Sequence, residues 1–201
     1  MNIPFGKPLI DRNEKKAVLK VLNGTQLVHG KKCKDFEKSF IKFVGGGYST
    51  SLSSCTAGLH LALLALGIKK NDEVLVPAQS HVATVHSVEY VGAKPVFIDC
   101  ELETGNIDLN LLEKKITSKT KALTIVHYIG IPIDLKRVVN FCNEKKIFLI
   151  EDCALALGTR FRKKHVGLHG DVGSFSFYPV KHITTAEGGM VISKRKNIIE
   201  K

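Results

Sequence analysis

A lysine in a loop between two short apolar runs is the residue of this chain best placed to attack a carbonyl carbon. Lys181 lies within residues 170–192 (GDVGSFSFYPVKHITTAEGGMVI), after an alternating Val-Gly-Ser-Phe-Ser-Phe segment and before Gly188-Gly189 and the apolar Met190, Val191 and Ile192. Both runs predict strands, joined by a tight glycine turn. A lysine held there, away from bulk water, gives up its proton more readily and becomes a nucleophile. In a lysine-rich chain the same residue also reads as one more solvated amine. Two further places carry chemistry. Ser53-Ser54-Cys55-Thr56-Ala57 combines small and hydroxyl residues where a strand (48–52) meets an apolar helix predicted over 58–66 and closed by Gly67. Such a turn points backbone N–H groups at an anion with the helix dipole behind them, or holds a plain helix cap. Asp152 follows the apolar run 147–150, where a carboxylate can pair with a cation or cap a helix.

The elements that must position these residues alternate. Helices are predicted over 11–22 (Ala17, Val18, Val21 and Leu22 on one face, stopping at Asn23-Gly24) and 33–44, with Phe36, Phe40 and Phe43 on a stripe assigned to the core. Gly45, Gly46 and Gly47 end the second helix. Strands follow at 48–52, 73–77, 94–99, 120–126 and 147–150. Helices are expected from Ser80-His81 to about 91, over 109–115 and over 134–145. This order implies an open parallel sheet with helices on both faces. Ligands of such sheets bind beyond the carboxyl ends of strands. Lys181, Asp152, the Thr56 turn and Ser80-His81 all fall there. The segment from Gly24 to Gly30-Lys31 has five residues between its glycines and Lys32 after the lysine, so it is not a phosphate loop of the Walker type. The glycines at 45–47 precede a strand and make no dinucleotide fingerprint.

The run Phe175-Ser176-Phe177-Tyr178-Pro179-Val180-Lys181 followed by Glu187-Gly188-Gly189-Met190 resembles the cofactor-lysine signature of the DegT/DnrJ/EryC1/StrS sugar aminotransferases. The resemblance extends over essentially all 201 residues. It implies an α/β fold: the large domain of a type I pyridoxal-phosphate transferase, with a mostly parallel sheet. Residues 1–201 would then be the N-terminal part of that domain, with 1–30 as helix and arm, 45–192 as sheet core, and the C-terminal small domain absent. The cofactor implied is pyridoxal 5′-phosphate. Lys181 would form the Schiff base and act as general base, Asp152 would keep the ring nitrogen protonated, and Thr56, Ala57 and Ser176 would hold the phosphate. His81 falls where the family has an aromatic ring stacked on the cofactor, and otherwise reads as a capping or surface histidine. Leu155 stands where the family has a glutamine bonded to the cofactor's phenolic oxygen. The implied partners are L-glutamate as amino donor, a nucleotide-linked keto-deoxy-hexose as acceptor, and a second copy in a homodimer of the full-length protein. The implied role is surface-polysaccharide biosynthesis. A truncated domain that holds the cofactor without catalysis, or a related enzyme acting on amino acids, are the alternatives. Cys55, Cys100 and Cys153 lack the flexible loop of a desulfurase.

Composition bounds these readings. Hydrophobic residues make up 44% and charged residues 24% of the chain, the balance of an ordinary globular protein. The formal charge of +11 is spread along the chain without an arginine-rich tract, which argues against nucleic acid and for a lysine-rich surface that draws in anionic substrates. No apolar run is long enough to span a bilayer, and the first residues lack the apolar core of a signal peptide. The five cysteines are scattered, which suits a reducing cytoplasm. His165 and His169 are four apart, but Gly167 and Gly170 place them in a loop, and no metal is expected there.

Overall fold

In the computed structural model, which describes Ile3, Pro4 and residues 6–201, the expected alternation of strands and helices is present. Helices α1 (Arg12–Leu22) and α2 (Lys31–Val44) lead into β1 (Tyr48–Leu52), α3 (Cys55–Ala65), β2 (Glu73–Pro77), α4 (Val82–Tyr90), β3 (Lys94–Ile98) and α5 (Leu112–Lys115). There follow β4 (Thr120–Val126), a 3-10 turn (Tyr128–Gly130), α6 (Leu135–Lys145) and β5 (Phe148–Asp152). A two-stranded ribbon of β6 (Arg160–Phe161) and β7 (Lys164–His165) then precedes β8 (Val172–Ser176), β9 (Gly189–Ser193) and α7 (Lys196–Ile199). The main sheet has the order β1-β9-β8-β5-β4-β2-β3. The pairs from β8 through β3 are parallel; β9 runs antiparallel to both β8 and β1. The last residues of β1, β2, β5 and β8 therefore share one edge of the sheet with the first residue of β9.

Strand alternation sorts the side chains between two cores. On one face Leu75, Leu123, Ile125, Leu149 and Phe175 pack with Phe40 and Val44 of α2 and Leu135 and Val138 of α6. On the other, Val74, Val76, Ala122 and Ile150 pack with Cys55, Leu59 and Leu63 of α3 and Val88 of α4. The phenylalanines of the Phe-Ser-Phe run belong to the first face. Phe175 meets Phe40 edge-on at 5.0 Å between ring centroids, and Phe177 meets Phe36 at 4.9 Å. Ser174 is thereby turned to the α3 face, where its Oγ donates to the Cys55 carbonyl at 3.1 Å. Asp152 shares a face with Ile150, while Glu151 shares the opposite one with Leu149.

Several boundaries differ from the sequence reading for local reasons. Helix α3 begins at Cys55, not Gly58, because the Ser54 side chain accepts from the Ala57 N–H and caps it three residues earlier. Helix α5 is shorter than expected, since Asp108 folds residues 108–111 into a turn through its Oδ1 and carbonyl. Strands β8 and β9 are joined by the loop 177–188, not by a tight glycine turn. That loop closes on itself through Phe177 N–H to the Gly188 carbonyl (2.9 Å) and Thr185 N–H to the Phe177 carbonyl (3.0 Å). Phe43 is half exposed instead of core, with its ring edge-on to His165 at 5.5 Å. Among the described residues no helix is long and apolar enough to cross a membrane.

Candidate active site

The start of α3 can approach the sheet because two side chains are missing. A Cβ on Gly58 would strike Ser174 and Val191, and one on Gly189 would overlap Ser54 and sit 2.6 Å from the Cys55 nitrogen. Gly189 is paired with both Leu52 and Ser176 in the ladder, so this contact seats the helix start beside the ends of β1 and β8. Ser54 accepts the Ala57 N–H at 3.0 Å. The Ala57 donor is therefore already taken, and among the described residues the Thr56 N–H has no such partner. A helix end with open N–H groups favours an anion by about 0.3–1 kcal/mol at an exposed site.

Asp152, the last residue of β5, is 5% exposed. Its Oδ1 accepts the Ala154 N–H at 3.0 Å and faces the Cys55 thiol at 3.8 Å; its Oδ2 accepts the Thr84 hydroxyl at 2.8 Å. Burial pushes its pKa above the ordinary aspartate value, opposed by the Ala154 and Thr84 hydrogen bonds and by the Lys181 and His127 charges. A carboxylate in this state has an unmet demand for a positive partner.

His81 is exposed and caps α4, its Nδ1 accepting the Ala83 N–H at 3.2 Å. Ser176 ends β8 half-buried, with its Oγ accepting the Tyr178 N–H at 3.4 Å. Lys181 is half-buried in the loop 177–188, its own N–H bonded to the Tyr178 carbonyl at 2.9 Å. Among the described residues no carboxylate lies within salt-bridge distance of its Nζ. The Lys181, Asp152, Thr56, His81 and Ser176 side chains line one cavity of ≈ 410 Å³, together with Ser54, Cys55, Tyr178 and Glu187. Ala57 is the one predicted site residue that the cavity wall does not include, consistent with its capped N–H. Leu155 lies in a neighbouring hollow with Ile129, Val180 and Lys181, where only His182 and the lysine offer polar side chains.

The opposite face of the sheet holds a second buried carboxylate. Glu151 is fully buried and accepts from His127 Nε2 (3.1 Å) and from the N–H groups of Gly167 (2.7 Å), His169 (2.8 Å) and Gly170 (2.6 Å). Burial works against its charge, but the His127 hydrogen bond and the Gly170 and Gly167 donors outweigh it and hold its pKa below the usual glutamate value. His127, Glu151 and Cys153 lie within 4.8 Å of one another. The carboxylate is already surrounded by four N–H donors, so the cluster is a latch on the loop 166–170, not an open ligand set. Neither this pair nor Thr84 was singled out from the sequence: Thr84 and Asp152 are 68 positions apart, and no spacing rule connects them.

The matched sequence decides the family. The DegT/DnrJ/EryC1/StrS aminotransferase family model matches residues 8–201. The chain belongs to that family. Among curated relatives in this aminotransferase family, the GDP-perosamine synthase of Escherichia coli O157:H7 is 40% identical over 200 residues, covering 99% of this chain and 55% of that protein. Among solved structures, the aminotransferase from Psychrobacter cryohalolentis superposes with a TM-score of 0.93 at 34% identity, covering 98% of this chain and 51% of that one. A GDP-4-keto-6-deoxymannose-3-dehydratase with a trapped PLP-glutamate geminal diamine superposes at 0.92 and 31% identity, covering 98% and 53%. The chain thus spans about half the length of the relatives it matches.

Proposed function

We propose that this chain carries the cofactor site of a pyridoxal-phosphate-dependent transaminase that passes an amino group from L-glutamate to a nucleotide-linked keto-deoxy-hexose. The observation that carries the reading is one cavity of ≈ 410 Å³ shared by three complementary groups. A helix N-terminus suits a phosphate, a buried carboxylate with a raised pKa suits a protonated ring nitrogen, and a lysine with no carboxylate partner among the described residues suits an aldehyde. Pyridoxal phosphate offers all three, and the volume lies within the range of small-molecule sites. When bound, this cofactor draws electrons from a carbon attached to an amino nitrogen. Asp152 would hold the proton on the ring nitrogen. Lys181 Nζ would hold the cofactor through its carbonyl carbon, with loss of water, and, once displaced by the incoming amine, would take a proton from the substrate carbon and return it to the cofactor carbon. The Thr56 N–H, with Ser176, would bind the phosphate, and the His81 ring would cover one side of the cavity. Ala57 contributes through its capped position, not as a donor.

The substrate class rests on the relatives: a GDP-perosamine synthase at 40% identity and a GDP-keto-sugar enzyme trapped with a PLP-glutamate adduct. The same resemblance supports a role in surface polysaccharide, a cytoplasmic setting and a homodimer of the full-length protein. The dimer is also supported by α1, which buries none of its residues although Val18, Leu19 and Leu22 are apolar. A second reading, a chain that holds the cofactor without turnover, is favoured by the apolar Leu155, Ile129 and Val180 beside Lys181. Incubation with glutamate separates the two. The first reading gives conversion of bound cofactor to its amine form and then transfer to GDP- or dTDP-linked keto-sugars, whereas cofactor that stays unchanged with glutamate supports the second.

A further inference from the structure

The carboxylate oxygen of Asp152 that faces away from Ala154 is served by a single side chain. Oδ2 accepts from Thr84 Oγ1 at 2.8 Å, and Thr84 is fully buried on the first turn of α4. Thr84 Oγ1 in turn lies 2.6 Å from Ser80 Oγ, which is half-buried and also within 3.2 Å of the His81 carbonyl. An ionised carboxylate carries no proton, so the Thr84 hydroxyl must donate to it, and the Ser80 hydroxyl must then donate to Thr84. Once Asp152 is protonated, the row can run the other way, from Asp152 to Thr84 to Ser80 and finally to the His81 carbonyl. In that state the charge-assisted hydrogen bond from Thr84 to the carboxylate is lost and only neutral ones remain, so the row favours the ionised form.

We propose that Thr84 is the positioning residue for Asp152, and that the Ser80–Thr84–Asp152 row orients the carboxylate toward a ring nitrogen and keeps it ionised. This rests on the cofactor reading above and extends it to residues of α4. The other titratable or charged groups facing Asp152 act elsewhere. Cys55 of α3 approaches Oδ1, Lys181 and His127 contribute charge without a hydrogen bond to it, Cys153 is its neutral neighbour in the chain, Glu151 faces the opposite side of the sheet, and His81, Tyr178 and Glu187 share the cavity wall without bonding the carboxylate. Thr84 is thus the only side chain among the described residues that donates to Oδ2. Helix α4 carries it into place through the His81 cap, with the Thr84 N–H bonded to the His81 carbonyl at 3.0 Å.

The test measures cofactor retention as a function of pH, from roughly pH 5 to pH 8, by absorbance after ultrafiltration. Parent chain, Thr84→Val and Thr84→Ser are compared. Protonation of Asp152 removes the partner of the ring nitrogen, so retention falls on the acid side. Thr84→Val moves that acid midpoint up by about one pH unit, the shift that loss of one charge-assisted hydrogen bond implies, and weakens retention at neutral pH about tenfold. Thr84→Ser restores the parent midpoint. A variant that merely loosens the fold lowers retention at every pH without moving the midpoint, and that result overturns the proposal. If Thr84→Val does not fold, Ser80→Ala decides: it removes the outer donor from the rim and moves the midpoint the same way by a smaller amount. Parent chain that binds cofactor while both variants keep its midpoint overturns the role of Thr84 alone. Parent chain that binds no cofactor overturns the cofactor reading, and this proposal with it.

Discussion

Glu151 and Asp152 are adjacent, buried and acidic, yet neutralising them should have very unequal consequences for stability. Glu151→Gln puts an NH₂ group where one carboxylate oxygen accepts two donors: either His169 and Gly170 at Oε1, or Gly167 and His127 at Oε2. Two buried donors then face a donor. At about 1–3 kcal/mol for each unsatisfied group the loss is about 2–6 kcal/mol, a large part of the about 5–15 kcal/mol that holds a domain folded. Asp152→Asn meets a different environment. Its amide oxygen can accept the Ala154 N–H, while its NH₂ donates to Thr84, whose hydroxyl turns to Ser80. The substitution also removes a charge whose burial raises its pKa. The cofactor-free variant should therefore stay within about 1 kcal/mol of the parent, or exceed it, while losing cofactor affinity. Urea unfolding at neutral pH, with a slope of about 2 kcal/mol/M, should place the Glu151→Gln midpoint about 1–3 M below the parent and leave the Asp152→Asn midpoint near it. The pH dependence follows the same signs. Glu151 has a depressed folded pKa, so its contribution is present above the unfolded glutamate value and is lost as pH falls through the folded one. Asp152 has a raised folded pKa, so its cost sets in as pH rises past the unfolded aspartate value and is complete above the folded one, where the native state carries the buried charge. Equal destabilisation by the two substitutions would refute this assignment of roles.

Other outcomes follow from the same geometry. Gly189→Ala forces a methyl group into Ser54 and Cys55, so it should cost about 1–3 kcal/mol or more in urea unfolding and weaken phosphate binding at the start of α3. Ser54→Ala removes the cap on Ala57 and should cost about 1 kcal/mol, read as a lower thermal midpoint. In timed thiol labelling at neutral pH, the half-buried Cys33 and Cys100 should react before the buried Cys55, Cys142 and Cys153. Burial pushes the Cys142 thiol up to about 12 and raises those of Cys55 and Cys153 further from reaction, so early loss of Cys55 would contradict the closed packing of α3 on β8.

The parallel architecture was legible because period-2 strands and period-3.6 helices alternate cleanly, and β1, β2 and β4 match their expected bounds. Lys181, Asp152, Thr56 and His81 could be gathered from the rule that ligands lie beyond strand ends, because the ends of β1, β2, β5 and β8 do lie on one edge, whereas Ser176 came with the family motif. The form of the β8–β9 connection was not legible: Gly188-Gly189 signals a tight turn, whereas the loop 177–188 closes on itself through Phe177 and Thr185. Contacts between distant elements were equally hidden. Ser54 capturing Ala57 moved the start of α3, and Thr84 reaching Asp152 depends on how α4 settles over β5, which no local propensity encodes. The Glu151–His127 pair escaped notice because an acid inside an apolar strand reads as a strand end until the far-face donors are seen.

Reductive trapping tests the central claim most directly. The chain is mixed with pyridoxal phosphate, reduced with borohydride, digested, and the modified peptide is mapped. The account predicts one cofactor per chain on Lys181, in the peptide that follows Phe177, with the label lost in Lys181→Ala. A label on Lys194, on Lys7 or spread over the surface lysines, with Lys181 unmodified, would contradict it.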